Sequence, residues 1–125
     1  MNKSDIVNTL IESAESIGLV HTIYATFGKR VKVRLPFDRK TLEMSVDDIS
    51  FSARSSNCLK RTGMMRIRDV VEAIEEQRLL AVRNLGTTSY NEIQTKLLVL
   101  AYSRFSALEK KEFFSDLLER NGYKK

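Results

Sequence analysis

The 125-residue sequence predicts an α+β fold, with a helix plus β-hairpin unit over residues 1–48 and a compact helical domain ending in an amphipathic helix over 49–125. Three observations carry that prediction. Val31, Val33 and Leu35 alternate with Lys32 and Arg34, the period-2 signature of a half-buried strand. Elsewhere the apolar residues recur at helical spacing. Helix-capping signals cluster after residue 50, among them Ser52 and the Ser106–Glu109 pair.

Taken in order, Ser4 is positioned to cap a first helix on which Ile6, Val7, Leu10, Ile11, Ala14 and Ile17 share one face, and Gly18 stops it. The stretch LVHTIYATFGKRVKVRLPF is rich in β-branched and aromatic residues, and Gly28-Lys29 can turn the chain between two strands. Pro36 ends the second strand, and Thr41 to Val46 offers a third. After a connector at 47–50, four short helices follow. The first is capped by Ser52 and runs to about Thr62, with Gly63 as its left-handed exit. The second covers Ile67 to Ala73, and the third Glu75 to Val82 with acidic residues at its start. Asn84-Leu85-Gly86 is a tight turn, and Ser89 with Glu92 has the spacing of a capping box for the fourth. The terminal helix starts at Ser106, and Leu108, Phe113, Phe114, Leu117 and Leu118 form its apolar stripe.

Composition narrows the chemistry. Hydrophobic residues make up 42% and charged residues 30%, enough to build a core and unlike a disordered tail. No apolar run approaches the length that spans a membrane, and the polar start MNKSDIVN lacks the apolar stretch of a signal peptide, so a reducing cytoplasm is expected. A single cysteine and a single histidine, Cys58 and His21, leave no disulfide and no multi-cysteine zinc site. No paired carboxylates, Ser-His pair or metal constellation points to catalysis, and neither metal nor cofactor is expected. The net charge of +5 is concentrated late: residues 1–48 balance at seven basic and seven acidic, 49–100 carry eight against five, and 101–125 six against four. Such an excess favours polyanions mildly.

Two clusters about 25 residues apart carry the functional information. In Arg54-Ser55-Ser56-Asn57-Cys58-Leu59-Lys60, helical spacing puts Arg54, Asn57 and Cys58 on one face near a helix N-terminus. A long cation flanked by short polar groups suits the narrow, negative minor groove, although on residue type alone a solvated helix face with Cys58 in the core explains the cluster as well. In Arg83-Asn84-Leu85-Gly86-Thr87-Thr88-Ser89, a glycine turn opens into a helix whose free N–H groups favour phosphate, or simply cap the helix. Between residues 29 and 40 lies the densest basic stretch, with Lys29, Arg30, Lys32 and Arg34 at its heart. It is either an accessory nucleic-acid contact or a charged edge that discourages aggregation.

The order of R-S-x-N-C-L-K and V-R-N-L-G-x-x-S-x-x-E-I resembles the C-terminal domain of the bacterial RNA polymerase alpha subunit, over roughly 50 residues of the usual small-domain size. The turn also resembles helix-hairpin-helix modules. The resemblance implies a DNA-binding role in transcription, with Arg54 as the main groove contact, Asn57, Cys58 and Lys60 beside it, and Asn84, Gly86, Thr88 and Ser89 at the phosphates. Duplex DNA with an A·T-rich minor groove is the implied ligand, and RNA polymerase or a transcription regulator the implied protein partner, with Glu92 as a candidate contact to it. A module that docks on proteins without strong DNA binding is the alternative. The large assembly domain of the polymerase subunit has no counterpart, and the terminal stripe either packs on the bundle or joins two copies into a homodimer. The sequence departs from the family where residues after the turn glycine are commonly basic, since here they are Thr87 and Thr88. Arg61, Arg66, Arg68 and Arg83 either compensate or are ordinary surface charges.

Overall fold

The computed structural model describes residues 2–123, and these fold into seven α-helices with no β-strand among them. The expected α+β class, and the hairpin in particular, is therefore corrected to all-α. The helices are α1 Lys3–Ile17, α2 Leu19–Phe27, α3 Arg39–Leu42, α4 Ala53–Arg61, α5 Ile67–Glu75, α6 Gly86–Ser103 and α7 Ala107–Arg120, with 3-10 turns at Val46–Asp48 and Leu79–Ala81. They divide into two compact units. One joins the residues up to Arg34 to the part from Leu98 onward, and the other is Leu35–Leu97.

In the first unit, α1 begins two residues earlier than a Ser4 cap suggests, because Asn2 is the cap and forms the capping box with Asp5. It packs on α2 and α7, and the Ser13 and Thr22 hydroxyls meet at 2.8 Å between α1 and α2. The composition of residues 19–27 predicts a strand, yet they are helical. Helix propensities differ by only a few tenths of a kcal/mol among β-branched, aromatic and average residues, whereas burying Ile23 completely is worth about 2 kcal/mol. Packing wins. From Val31 to Asp38 the chain has no regular secondary structure, yet its burial still alternates, with Val31 and Val33 buried while Lys32 and Arg34 are exposed. No neighbouring strand pairs with it. Instead Asn121 takes the strand's place, its Oδ1 accepting from the Lys32 N–H and its Nδ2 donating to the Lys32 carbonyl, both at 2.9 Å. Phe113, Phe114, Leu117 and Leu118 of α7 are buried as their spacing predicts, but Leu108 is 65% exposed and does not belong to the stripe. Ser106 and Glu109 form the expected box at the start of α7. Tyr102, Phe105, Phe113 and Phe114 make a cluster of edge-to-face and tilted rings with centroids 5.4–6.0 Å apart, and the Lys110 ammonium lies 5.1 Å from the Tyr102 centroid.

The second unit opens with Leu35, whose N–H donates to a Glu75 carboxylate oxygen at 2.8 Å. Thr41 to Val46 adds no third strand. Asp38 caps the short α3, Ser45 and Asp48 box the following 3-10 turn, and only an isolated antiparallel bridge joins Ser45 to Arg66. α4 has its expected cap at Ser52 and leaves through Gly63 at φ 87°. α5 buries Ile67, Val70, Val71, Ala73 and Ile74. The expected third helix from Glu75 to Val82 is reduced to a single 3-10 turn, because Gln77 at φ 57° breaks the helical path. That turn still buries Leu79 completely.

Candidate nucleic-acid interface

The short helix α4 and the turn that opens α6 form the site. Arg54 and Asn57 project from α4 into solvent, and Arg54 makes no hydrogen bond or ion pair among the described residues. Cys58, expected on the same contact face, is only 2% exposed. Its thiol donates to the Arg83 carbonyl at 3.8 Å, so it lies beneath the face and ties α4 to the turn. Lys60 is half-buried and held by Asp47 at 3.1 Å.

The turn uses two left-handed residues, Asn84 at φ 66° and Gly86 at φ 75°. Asparagine tolerates this conformation better than most residues, and glycine adopts it without strain. Thr87 and Thr88 are exposed in the first turn of α6, whereas Ser89 is 5% exposed and faces inward. The capping box expected of Ser89 and Glu92 does not form at this helix start, which lies three residues earlier at Gly86.

Glu92 serves a different helix. Its carboxylate accepts from the Ser52 N–H at 2.7 Å, from the Ser52 hydroxyl at 2.8 Å and from the Ser55 hydroxyl. Burial pushes the carboxyl up, but the bonds from Ser55 and Ser52 and the nearby Lys96 charge outweigh it, and Glu92 sits below the ordinary value of 4.5. A carboxylate at the N-terminus of α4 also complements the helix dipole. Lys96, one turn further along α6, donates to the Ser50 carbonyl just before that helix.

The two sequence clusters are thus brought together by independent contacts, Cys58 to Arg83 and Glu92 to Ser52 and Ser55. The sequence marks Ser52 as a cap, but its second role, and that of Ser55, leaves no trace there. A long-range pairing has no periodic signal, and a carboxylate three residues after a serine mimics a local box. The basic stretch is split by its surroundings: Lys32 and Arg34 are exposed and unpaired among the described residues, while Lys29 and Arg30 have partners.

A short helix clamped to a glycine turn, with an exposed arginine on its outer face, is the architecture of a small helical binding module. The family model for the C-terminal domain of the bacterial RNA polymerase alpha subunit matches residues 36–98, and the protein belongs to this family. Such a domain is a non-catalytic module that in general binds DNA and regulators in transcription. Similar proteins include the DNA-directed RNA polymerase subunit alpha of Heliobacterium modesticaldum, 42% identical over 64 residues that make up 51% of this protein and 20% of that one. The same subunit of Desulfitobacterium hafniense is 43% identical over 58 residues, 46% of this protein and 18% of that one. That of Symbiobacterium thermophilum is 41% identical over 64 residues, again 51% and 20%. The match therefore spans about a fifth of the length of these relatives. No solved structure matches the sequence. No described helix is long and apolar enough to cross a membrane.

Proposed function

We propose that this protein is a cytoplasmic DNA-binding module of transcription that inserts Arg54 into the minor groove of A·T-rich duplex and sets the turn at Asn84–Thr88 against the phosphate backbone. The observation that carries this reading is the exposed Arg54, without a partner among the described residues, on a helix whose start is fixed by Glu92 and whose middle is fixed by Cys58. A cation held on a rigid element enters a narrow groove without losing a partner, and the negative potential there is strongest at A·T-rich sequence. Asn57 lies one turn along to reach sugar or phosphate. Gly86 allows close approach of the backbone, and Thr88 offers a hydroxyl to a phosphate oxygen. Ser89 and Cys58 act beneath the surface as packing groups. Lys32 and Arg34, in the other compact unit, offer a separate exposed basic strip.

A second reading is favoured by one observation, the absence of charge at Thr87 and Thr88: the module docks chiefly on RNA polymerase or a regulator. Titrating labelled A·T-rich and G·C-rich duplexes at two salt concentrations separates the two. The DNA reading expects saturable binding with an A·T preference that persists as salt rises. Equal, very weak binding to both duplexes that vanishes with salt would leave the docking reading.

A further inference from the structure

We propose that Arg61 and Arg83 are the phosphate-binding cations of this interface, in place of the uncharged Thr87 and Thr88. This rests on the DNA reading above and extends it to residues that the turn itself does not point to.

Most cations near the interface are already engaged. Around α4 and α5, Lys60 is held by Asp47 at 3.1 Å, Arg68 by Glu43 at 2.8 Å and Arg78 by Glu76 at 2.6 Å. The Arg66 guanidinium donates to the Glu43 carbonyl at 2.7 Å. A phosphate competing for any of these must displace an existing acceptor. Arg61 and Arg83 are exposed and make no side-chain hydrogen bond or ion pair among the described residues. Arg39 and Lys40 are also exposed, but they sit on α3, which packs on α5.

Position then selects the same two. Arg61 is seven residues beyond Arg54, two turns along the same face and about 10 Å further along the axis. Arg83 is anchored between them, since its carbonyl accepts from Cys58, four residues after Arg54 and three before Arg61. The Arg83 backbone thus meets α4 at a residue that lies between Arg54 and Arg61 along the helix. A span of about 10 Å covers roughly three phosphate steps of one DNA strand, so a groove contact at Arg54 leaves the other two arginines at the flanking backbone. Arg61 in the last turn of α4 also complements the helix dipole. That role affects stability and not the salt dependence of binding.

The test compares full-length Arg61→Ala, Arg83→Ala and the double variant with wild type, Arg54→Ala and Arg68→Ala. Binding of fluorescent A·T-rich and G·C-rich duplexes is followed across a salt series, with circular dichroism to confirm each fold. Each lost phosphate contact should flatten the slope of log affinity against log salt by about 0.9, and the double variant by about twice that, with the A·T-to-G·C ratio unchanged. Arg68→Ala should keep the wild-type slope. If Arg54→Ala weakens binding while Arg61→Ala and Arg83→Ala follow the wild-type line, the proposal is overturned and the groove reading stands. A slope flattened equally by Arg68→Ala would overturn the selection of unpaired cations. Absence of duplex binding by wild type would overturn both this proposal and the DNA reading.

Discussion

Glu92→Gln should destabilise the Leu35–Leu97 unit by about 2 kcal/mol at neutral pH. The carboxylate accepts from the Ser52 amide, the Ser52 hydroxyl and the Ser55 hydroxyl, and glutamine keeps one uncharged carbonyl oxygen for the same donors. Hydrogen bonds to a charged group are worth about 1.5–3 kcal/mol each, and partial exposure of Glu92 discounts the loss. Urea unfolding followed by circular dichroism reads this as a midpoint lower by about 1 M, given slopes of about 1–3 kcal/mol per molar urea. The effect has a pH signature. Glu92 is below its ordinary 4.5 in the folded state, so its contribution is complete above about pH 4.5 and is lost as pH falls through the lower folded value. Wild type and variant should therefore converge as pH falls through that lowered folded value. A gap that stays constant down to acid unfolding, or no gap at pH 7, would refute the carboxylate's role as the clamp on α4.

Gly86→Ala meets no atom within 4 Å of the added methyl, so its cost should come only from the backbone at φ 75°, about 1 kcal/mol by urea unfolding, and a neutral result would show that the turn relaxes. Thr88→Lys adds a cation at the exposed first turn of α6 and should tighten binding to A·T-rich and G·C-rich duplexes alike, steepening the salt slope by about one unit. An unchanged slope would place the turn away from phosphate.

Local signals were legible in the sequence and long-range ones were not. Ser52, Gly63, Ser106 and Glu109 do what their types predict, because a cap is decided within one helical turn. The alternation of Val31, Val33 and Leu35 correctly marks which side chains are buried, but not a strand. It does not say what satisfies the backbone, and Asn121 and Glu75 supply the bonds expected of a second strand. Residues 19–27 carry strand-like composition but are helical, with Thr22 and Ile23 buried and Thr22 bonded to Ser13 of α1. At the candidate site the clusters were visible as clusters. Their division into an outer face of Arg54 and Asn57, a buried Cys58 and Ser89, and a half-buried Glu92 that braces α4 depends on how α4 meets α6, which spacing along one helix cannot reveal.

The central claim is that Arg54 reaches DNA, and the affinity of folded Arg54→Ala for an A·T-rich duplex tests it most directly. Loss of the groove contact should weaken binding by about 1–3 kcal/mol, roughly five- to 150-fold, with unchanged circular dichroism. Arg54→Lys should also be impaired, since an ammonium is more strongly hydrated and lacks the planar fork of donors. A folded Arg54→Ala protein that binds the duplex as tightly as wild type would contradict the account.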